Sequence, residues 1–439
     1  MARPTPLWRN PRRARRRPRE GSSSLVLVFA LGTVFALIAL ALNSASVSNH
    51  RVQLQAACEA AALAGAAELM DPGHLYIDPG HLYIDVEQHG STSGDPASDH
   101  LSAAQRIAGA RQRAIRFAAH NGVAGKPLLL AANETNDAGG DLVVGWVEDP
   151  TSLDSQWVPW TGTGPVNSLR VQAARSHLRG NPVTLWFGRI LGVSDTDVVS
   201  SARATVDQRV YGFRPMGHVR VPLVPIVLLS LDGASVQTSQ TSARTAPGRT
   251  DRFTVDPLSG DVRQGQDGIG EIELRVRLVA ESSAESAAES AAQAGNASLL
   301  SFNGHGPDYA LLREQIVQGL TAEDLETLGG ELALDQDGRL RLSGIDLSNT
   351  GQLNKLGQML LDVRGQKRIW PTGKRGSDWR NNAVCEIEGF MAGSVVDGYL
   401  ETDACLTIVV QPCLLQTCTA LVGTGKDRNP WIGKLVLDR

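Results

Sequence analysis

The chain has 439 residues, 42% hydrophobic, 5% aromatic and 20% charged, with a formal net charge of −4. Two domains fit within that length. Eight of the 42 basic residues but one of the 46 acidic residues lie in the first twenty, leaving 34 basic against 45 acidic groups beyond them; so acidic and aromatic-poor a body argues against a nucleic-acid partner.

The basic start, residues 1–21, precedes an apolar run, Leu25 to Leu42, whose only polar side chain is Thr33. Eighteen helical residues rise roughly 27 Å, close to the hydrocarbon thickness of a bilayer. The expected transmembrane helix is 22–42. After it, positive charge is sparse: Arg51, then none until Arg106. The positive-inside rule places the N-terminus in the cytoplasm and the rest outside. A cleaved signal peptide is the rival reading, with "SAS" at 44–46 as its cleavage site, but its apolar core is usually about 7–15 residues. The Arg cluster reads as a topology determinant; binding of nucleic acid or anionic lipid is the alternative.

No Pro or Gly interrupts Leu42 to Ala64, so the helix is expected to run on into water. Leu54, Cys58, Ala61, Gly65 and Leu69 follow steps of four, three, four and four, which keeps them on one face. Ala57, Ala61 and Gly65 form a small-xxx-small series that lets another helix approach closely. An alanine-rich helix also produces such a series by chance.

An Arg-rich start, one span, then "RVQLQAACEAAALAGAAEL" resembles the N-terminal region of TadG-like proteins of the Tad (Flp-pilus) assembly system, whose usual pattern is "LQNAADAAALAGA". Leu54-Gln55 and Ala60 to Ala66 match; Ala56, Cys58 and Glu59 depart from it. The stretch 166–206 is similar to the second block of that family in its planctomycete-type form. "LTAEDLETLGGELALDQDGRLRLSG" and "LTIVVQP" also resemble that group, so the likeness extends over most of the chain. A type IV pilin carries Glu five residues after its cleaved Gly, whereas Val26 stands there after Gly21, so prepilin processing is not expected. Asp232 lacks the serine spacing of a von Willebrand A metal motif, and no metal is expected at it.

Residues 71–85, "DPGHLYIDPGHLYID", repeat one seven-residue unit and read as a surface loop reaching Asp99. His74, His81, His89 and His100 gather there without known metal-ligand spacing. Leu101 to His120 reads as an amphipathic helix with Ala104, Ala108, Ile115 and Ala119 on its apolar face, stopped by Asn121-Gly122. Strand patterns come next at "KPLLLAA", "DLVVGWV", "SLRVQAA", "VTLWFG" and "DVVSSARATV". The expected fold class is α+β with antiparallel sheets, a first extracytoplasmic domain over 43–208 and a second, mostly β, over 209–439.

In the second domain, Pro222 and Pro225 break a buried strand pair, and 280–296 is low-complexity. Thr321 with Asp324 forms a weak capping box, and Asp337-Gly338 signals a hairpin. "LNKLGQMLL" reads as a helix. The D-x-D-G there lacks the other oxygen ligands of a calcium loop. "LVGTGKDR" fails as a phosphate loop, with Ala420 and Asp427 at the required Gly and Ser/Thr positions. Neither G-x-S-x-G nor H-E-x-x-H occurs. No catalytic residue, metal or cofactor is expected.

Cys385, Cys405, Cys413 and Cys418 crowd into 34 residues. In an oxidising compartment they suggest two disulfides, of three possible pairings; zinc is the rival, without C-x-x-C spacing. Cys58 reads as a buried small side chain.

Anchor, packing helix and acidic body describe a single-pass protein. The resemblance implies a non-enzymatic component of a Tad/Flp-type pilus assembly or secretion apparatus in the inner membrane, its partners other proteins of that apparatus. The alternatives are an exported ligand-binding or envelope-linking protein sharing only the anchor module, and an extracytoplasmic hydrolase.

Overall fold

The computed structural model describes residues 21–75, 103–152, 154–229, 251–257, 259–278, 295–302, 308–345, 347, 350–376, 384–401, 405–423 and 428–438. Most of the duplicated loop with His81, His89 and His100, Asp232, nearly all of the low-complexity segment and Asp427 lie outside these residues. The fold is α+β with largely antiparallel sheets.

Helix α1 spans Gly21–Ala66 without a break. The apolar run and the alanine block are therefore one helix of 46 residues, roughly 69 Å long. Thr33 stays within it by donating from its hydroxyl to the Phe29 carbonyl at 2.9 Å. A 3-10 turn, Ala67–Leu69, ends it ahead of Pro72, as a proline lacking its N–H demands. Helix α2 is Ala103–His120, ended at Asn121, whose side chain donates to the Phe117 carbonyl. Its buried residues are Ile107, Ala110, Arg111, Ala114 and Ala118. Ala104 and Ala108 are exposed, and Ile115 and Ala119 only half-buried. The expected face is thus displaced, because alanine marks both sides of this helix and Arg111 is held inside by the Asn136 side chain at 3.0 Å.

Strands β1 (Leu142–Trp146), β2 (Val158–Pro159) and β3 (Ser168–Arg175) come after α2. "KPLLLAA" forms no strand. "VTLWFG" pairs only through β4 (Val183–Thr184) before turning into the short helix α3 (Gly188–Leu191) and β5 (Asp195–Thr196). Next come β6 (Val198–Asp207), β7 (Val210–Phe213), β8 (Ile226–Leu229), β9 (Phe253–Val255) and β10 (Val262–Gln264). Strands β11 (Ile272–Arg277) and β12 (Ala297–Ser301) lead to helix α4 (Tyr309–Gln318), capped by Asp308. Strands β13 (Leu332–Ala333) and β14 (Leu340–Ile345) precede helix α5 (Thr350–Leu361). The chain ends in β15 (Lys367–Arg375), β16 (Val384–Glu401), β17 (Cys405–Pro412), β18 (Leu415–Gln416), β19 (Ala420–Val422) and β20 (Ile432–Asp438).

Two compact units result, one of residues 1–55 with 174–200, the other of 56–173 with 201–439. In the second unit, one sheet has the order β18-β20-β6-β3-β1-β2. There β20 lies antiparallel to β6, pairing Leu435 with Val206, so the chain end returns across the 208/209 boundary read from sequence. The larger sheet runs β11-β17-β16-β14-β12-β8-β15, and β15 also pairs with β16, closing five of its strands into a ring. Trp370, Phe390, Ile226 and Leu299 are fully buried in its core. The Trp370 indole N–H donates to the Gly393 carbonyl at 3.1 Å.

The Asp337-Gly338 turn forms, with Gly338 at φ 72°. Its two strands nevertheless part: β13 pairs with β7, and β14 with β12 and β16. The capping box also forms, since the Asp324 carboxylate accepts from the Thr321 N–H and the Asp324 N–H donates to the Thr321 hydroxyl, at 2.7 and 3.2 Å. It precedes only a 3-10 turn, Glu326–Leu328.

Candidate functional site

The alanine block of α1 has one buried face. Leu54, Cys58, Ala61, Gly65 and Leu69 are all buried, and so are Ala57, Ala62 and Ala66 beside them. At Gly65 the reason for a small residue is explicit. A Cβ built there falls 2.8 Å from the Ala110 carbonyl oxygen and 3.1 Å from the Ala114 Cβ on α2, and closest to Leu169 on β3. Glycine at 65 thus admits α2 to backbone contact. The Cys58 thiol is pushed up to about 12 by burial, so it is an inert packing group.

The four C-terminal cysteines do not come together. Among the described residues, which include all five cysteines, no disulfide is formed. Cys385 pairs with Leu342 at the start of β16, and Cys405 pairs with Glu401 at its far end. About sixteen residues of strand, roughly 50 Å, separate them. Cys405 and Cys413 flank β17, roughly 26 Å apart on the same spacing. The Cys413 N–H donates to the Ala392 carbonyl, which lies roughly 23 Å along β16 from Cys385. A disulfide needs Cα atoms within about 7 Å. Each of the three two-bridge pairings contains one of these separated pairs. As placed, the four sulfurs meet the geometry neither of two disulfides nor of a four-sulfur zinc site.

Two polar clusters carry no signal in the sequence because each joins distant segments: Asp149 lies 60 residues before Arg209, and His177 lies 18 and 20 residues before Asp195 and Asp197. Arg209 is 9% exposed. Its Nε and Nη2 donate to Asp207 at 2.9 and 2.7 Å, and Nη2 donates to Asp149 at 2.6 Å. Arg209, then Thr151, hold the Asp149 carboxyl well below the usual carboxylate range. Beside this pair the Arg428 guanidinium lies over the Trp146 ring, 4.4 Å from its centroid. The recess they line encloses about 30 Å³, room for one water and far below the roughly 300–1,000 Å³ of a ligand pocket. The cluster reads as a structural lock between β6 and the loop after β1.

The second cluster joins His177 to Asp195 and Asp197. The ring Nδ1 lies 2.6 Å from Asp197, and Nε2 contacts Asp195. The carboxylates occupy opposite ring nitrogens, so they share no common point for a metal. Among the described residues no group of three or more His, Cys, Asp or Glu is placed to hold one.

These features define a class: a protein with an N-terminal helix long and apolar enough to cross a membrane, carried on into a mixed helix-and-sheet body. Residues 21–68 match the family model described as "Putative Flp pilus-assembly TadE/G-like". The match covers α1 and its packing face as far as Gly65, so it supports the N-terminal region and not the likeness read over 166–206, the C-terminal stretches or a planctomycete type. No curated protein and no solved structure matches the chain.

Proposed function

We propose that this chain is a membrane-anchored, non-enzymatic component of a Tad/Flp-type pilus assembly or secretion apparatus, acting through protein–protein contacts. The observation that carries the reading is the coincidence of the TadE/G-like match, residues 21–68, with the apolar helix and its buried small-residue face. The Arg imbalance supports a cytoplasmic N-terminus in the inner membrane and an exported body.

Crosslinking in cells that make the apparatus, followed by co-purification on the full chain, tests this. Recovery of other pilus-assembly membrane proteins is the expected result. A chain that stays in the membrane yet captures none of them overturns it. Reporters fused after residue 60 are expected to be active only as periplasmic reporters, and activity as cytoplasmic ones reverses the orientation.

A further inference from the structure

The first unit holds an unexplained apolar surface. Strands β4 and β5 pair Val183 with Thr196 and Thr184 with Asp195, leaving a loop over 185–193, "LWFGRILGV", with Arg189 as its one charge. The loop is built rather than loose. The Leu185 N–H donates to the Ser194 carbonyl and the Val193 N–H to the Gly188 carbonyl, both at 2.9 Å. A Cβ on Gly188 would strike the Val193 carbonyl, so only glycine closes this turn. Yet Trp186 is 78% exposed and Val193 55% exposed, and Leu178 nearby is 98% exposed. Trp186 and Val193 stand on one ordered hairpin, and exposed apolar side chains so grouped mark a contact site.

The position of the loop identifies the partner. The Phe187 N–H donates to the Asn43 side-chain oxygen at 3.1 Å. Asn43 directly follows the apolar run that ends at Leu42. Asn43 is 5% exposed, and Ala39, one turn earlier on the same helix face, is 7% exposed. Ala39 lies inside the run, roughly 4.5 Å before its end. Every other large apolar side chain from Leu25 to Leu42 is exposed. With α1 in a bilayer, Phe187 is therefore held at the depth where hydrocarbon meets headgroups. Tryptophan beside aliphatic residues and arginine is the mixture that partitions to that layer. Arg189 is exposed and has no ion-pair partner among the described residues, as a residue facing lipid phosphate would be.

We propose that the 185–193 tip of the β4–β5 hairpin is a second membrane contact, seated in the headgroup layer of the leaflet that Leu42 reaches, with Trp186 as its interfacial anchor. The proposal rests on the anchor reading of α1. It adds that the chain grips the bilayer at two points joined by the Asn43–Phe187 hydrogen bond, which fixes the azimuth of α1 in a way that a lone span does not.

The test uses the full chain in phosphatidylcholine–phosphatidylglycerol vesicles, with and without bromine near the headgroup end of the acyl chains. The emission of Trp186 is the difference between the wild type and Trp186→Phe. It is expected to lose intensity in brominated vesicles, to be blue-shifted, and to be shielded from iodide. A Phe29→Trp substitution on the Trp186→Phe background reports the span itself. Quenching at position 29 without quenching of Trp186 overturns the proposal and leaves the anchor standing. This holds whether Trp186 is open to iodide or shielded from it, since shielding without lipid contact means a protein covers the tip. Quenching at neither position overturns both readings.

Discussion

Gly65 of α1 and Ala110 of α2 approach so closely that a Cβ on Gly65 would stand 2.8 Å from the Ala110 carbonyl oxygen. Because that oxygen belongs to helical backbone, it cannot turn aside. Gly65→Ala is expected to cost about 1–3 kcal/mol, and Gly65→Leu more, by overpacking. Ala56→Leu, on the exposed side of the same helix, is the control. It sits nine residues away, about half a turn round the helix, and is expected to stay within about 0.5 kcal/mol. Denaturation midpoints of the detergent-solubilised chain measure both. If Gly65→Leu unfolds at the wild-type midpoint, the small-residue stripe is an accident of composition.

Arg209 supplies the second prediction. Asp207 is 2% exposed, and Arg209→Ala leaves its carboxylate buried without the guanidinium that donates to it, at a cost of about 3–5 kcal/mol. Arg209→Lys is expected to recover only part, since an ammonium does not reproduce the fork that spans Asp207 and Asp149. The Asp149 carboxyl is held low, so its contribution is full above the ordinary carboxylate value of about 4 and is lost as pH falls through the depressed folded value. Asp149→Asn should flatten that acid limb in urea midpoints taken from neutral to acid pH. An unchanged acid limb in Asp149→Asn would place the acid sensitivity elsewhere.

The helix and its face were legible because a 3.6-residue period of small and apolar residues survives in the sequence, from Leu54 to Leu69. Local chemistry was legible as well: Thr321 with Asp324 and Asp337-Gly338 both form what their side chains dictate. The strand pairing around the Asp337-Gly338 turn was not legible, because β13 and β14 find distant partners in β7 and β16. The α2 face was misread since alanine discriminates poorly between inside and outside, while the buried Arg111 depends on Asn136, twenty-five residues away. The pairing of β20 with β6 and the Arg209–Asp149 contact join segments whose meeting no local pattern announces. "VTLWFG" reads as a strand pattern, yet only Val183 and Thr184 pair and Trp186 is exposed.

The thiols give a third prediction. Alkylation under non-reducing conditions, followed by mass spectrometry, is expected to find five modifiable cysteines in the denatured chain. In the native chain, exposed Cys418 should react first. Cys58, Cys385 and Cys405 are buried. Burial pushes the Cys58 thiol up to about 12 and the Cys413 thiol up to about 11, so little thiolate is present in either at neutral pH. Recovery of a bridge between Cys385 and Cys405 would contradict the register of β16 and β17.

The base of the β4–β5 hairpin titrates in a defined direction. The His177 ring is held chiefly by Asp197 and next by Asp195, and both raise its pKa above the ordinary 6.5. Ser194 in turn donates its hydroxyl to Asp195 at 2.7 Å, which holds that carboxylate low. With both ring nitrogens donating, the bound form is the imidazolium. A raised histidine stabilises the folded state fully below its unfolded pKa and loses that contribution as pH rises through the folded value. The hairpin base is therefore expected to loosen as pH rises past the ordinary 6.5, not as it falls. Titration of the His177 ring proton by NMR, with the full chain in a nanodisc, measures the shift directly. Asp197→Asn should bring the midpoint back toward 6.5 by more than Asp195→Asn does, because Asp197 is the larger cause and also accepts from the His177 N–H at 3.0 Å. The same two variants should speed exchange of the Leu185 amide, which closes the loop against Ser194. A midpoint at or below 6.5 in the wild type, indifferent to Asp197→Asn, would mean that the carboxylates flank the ring without holding its proton.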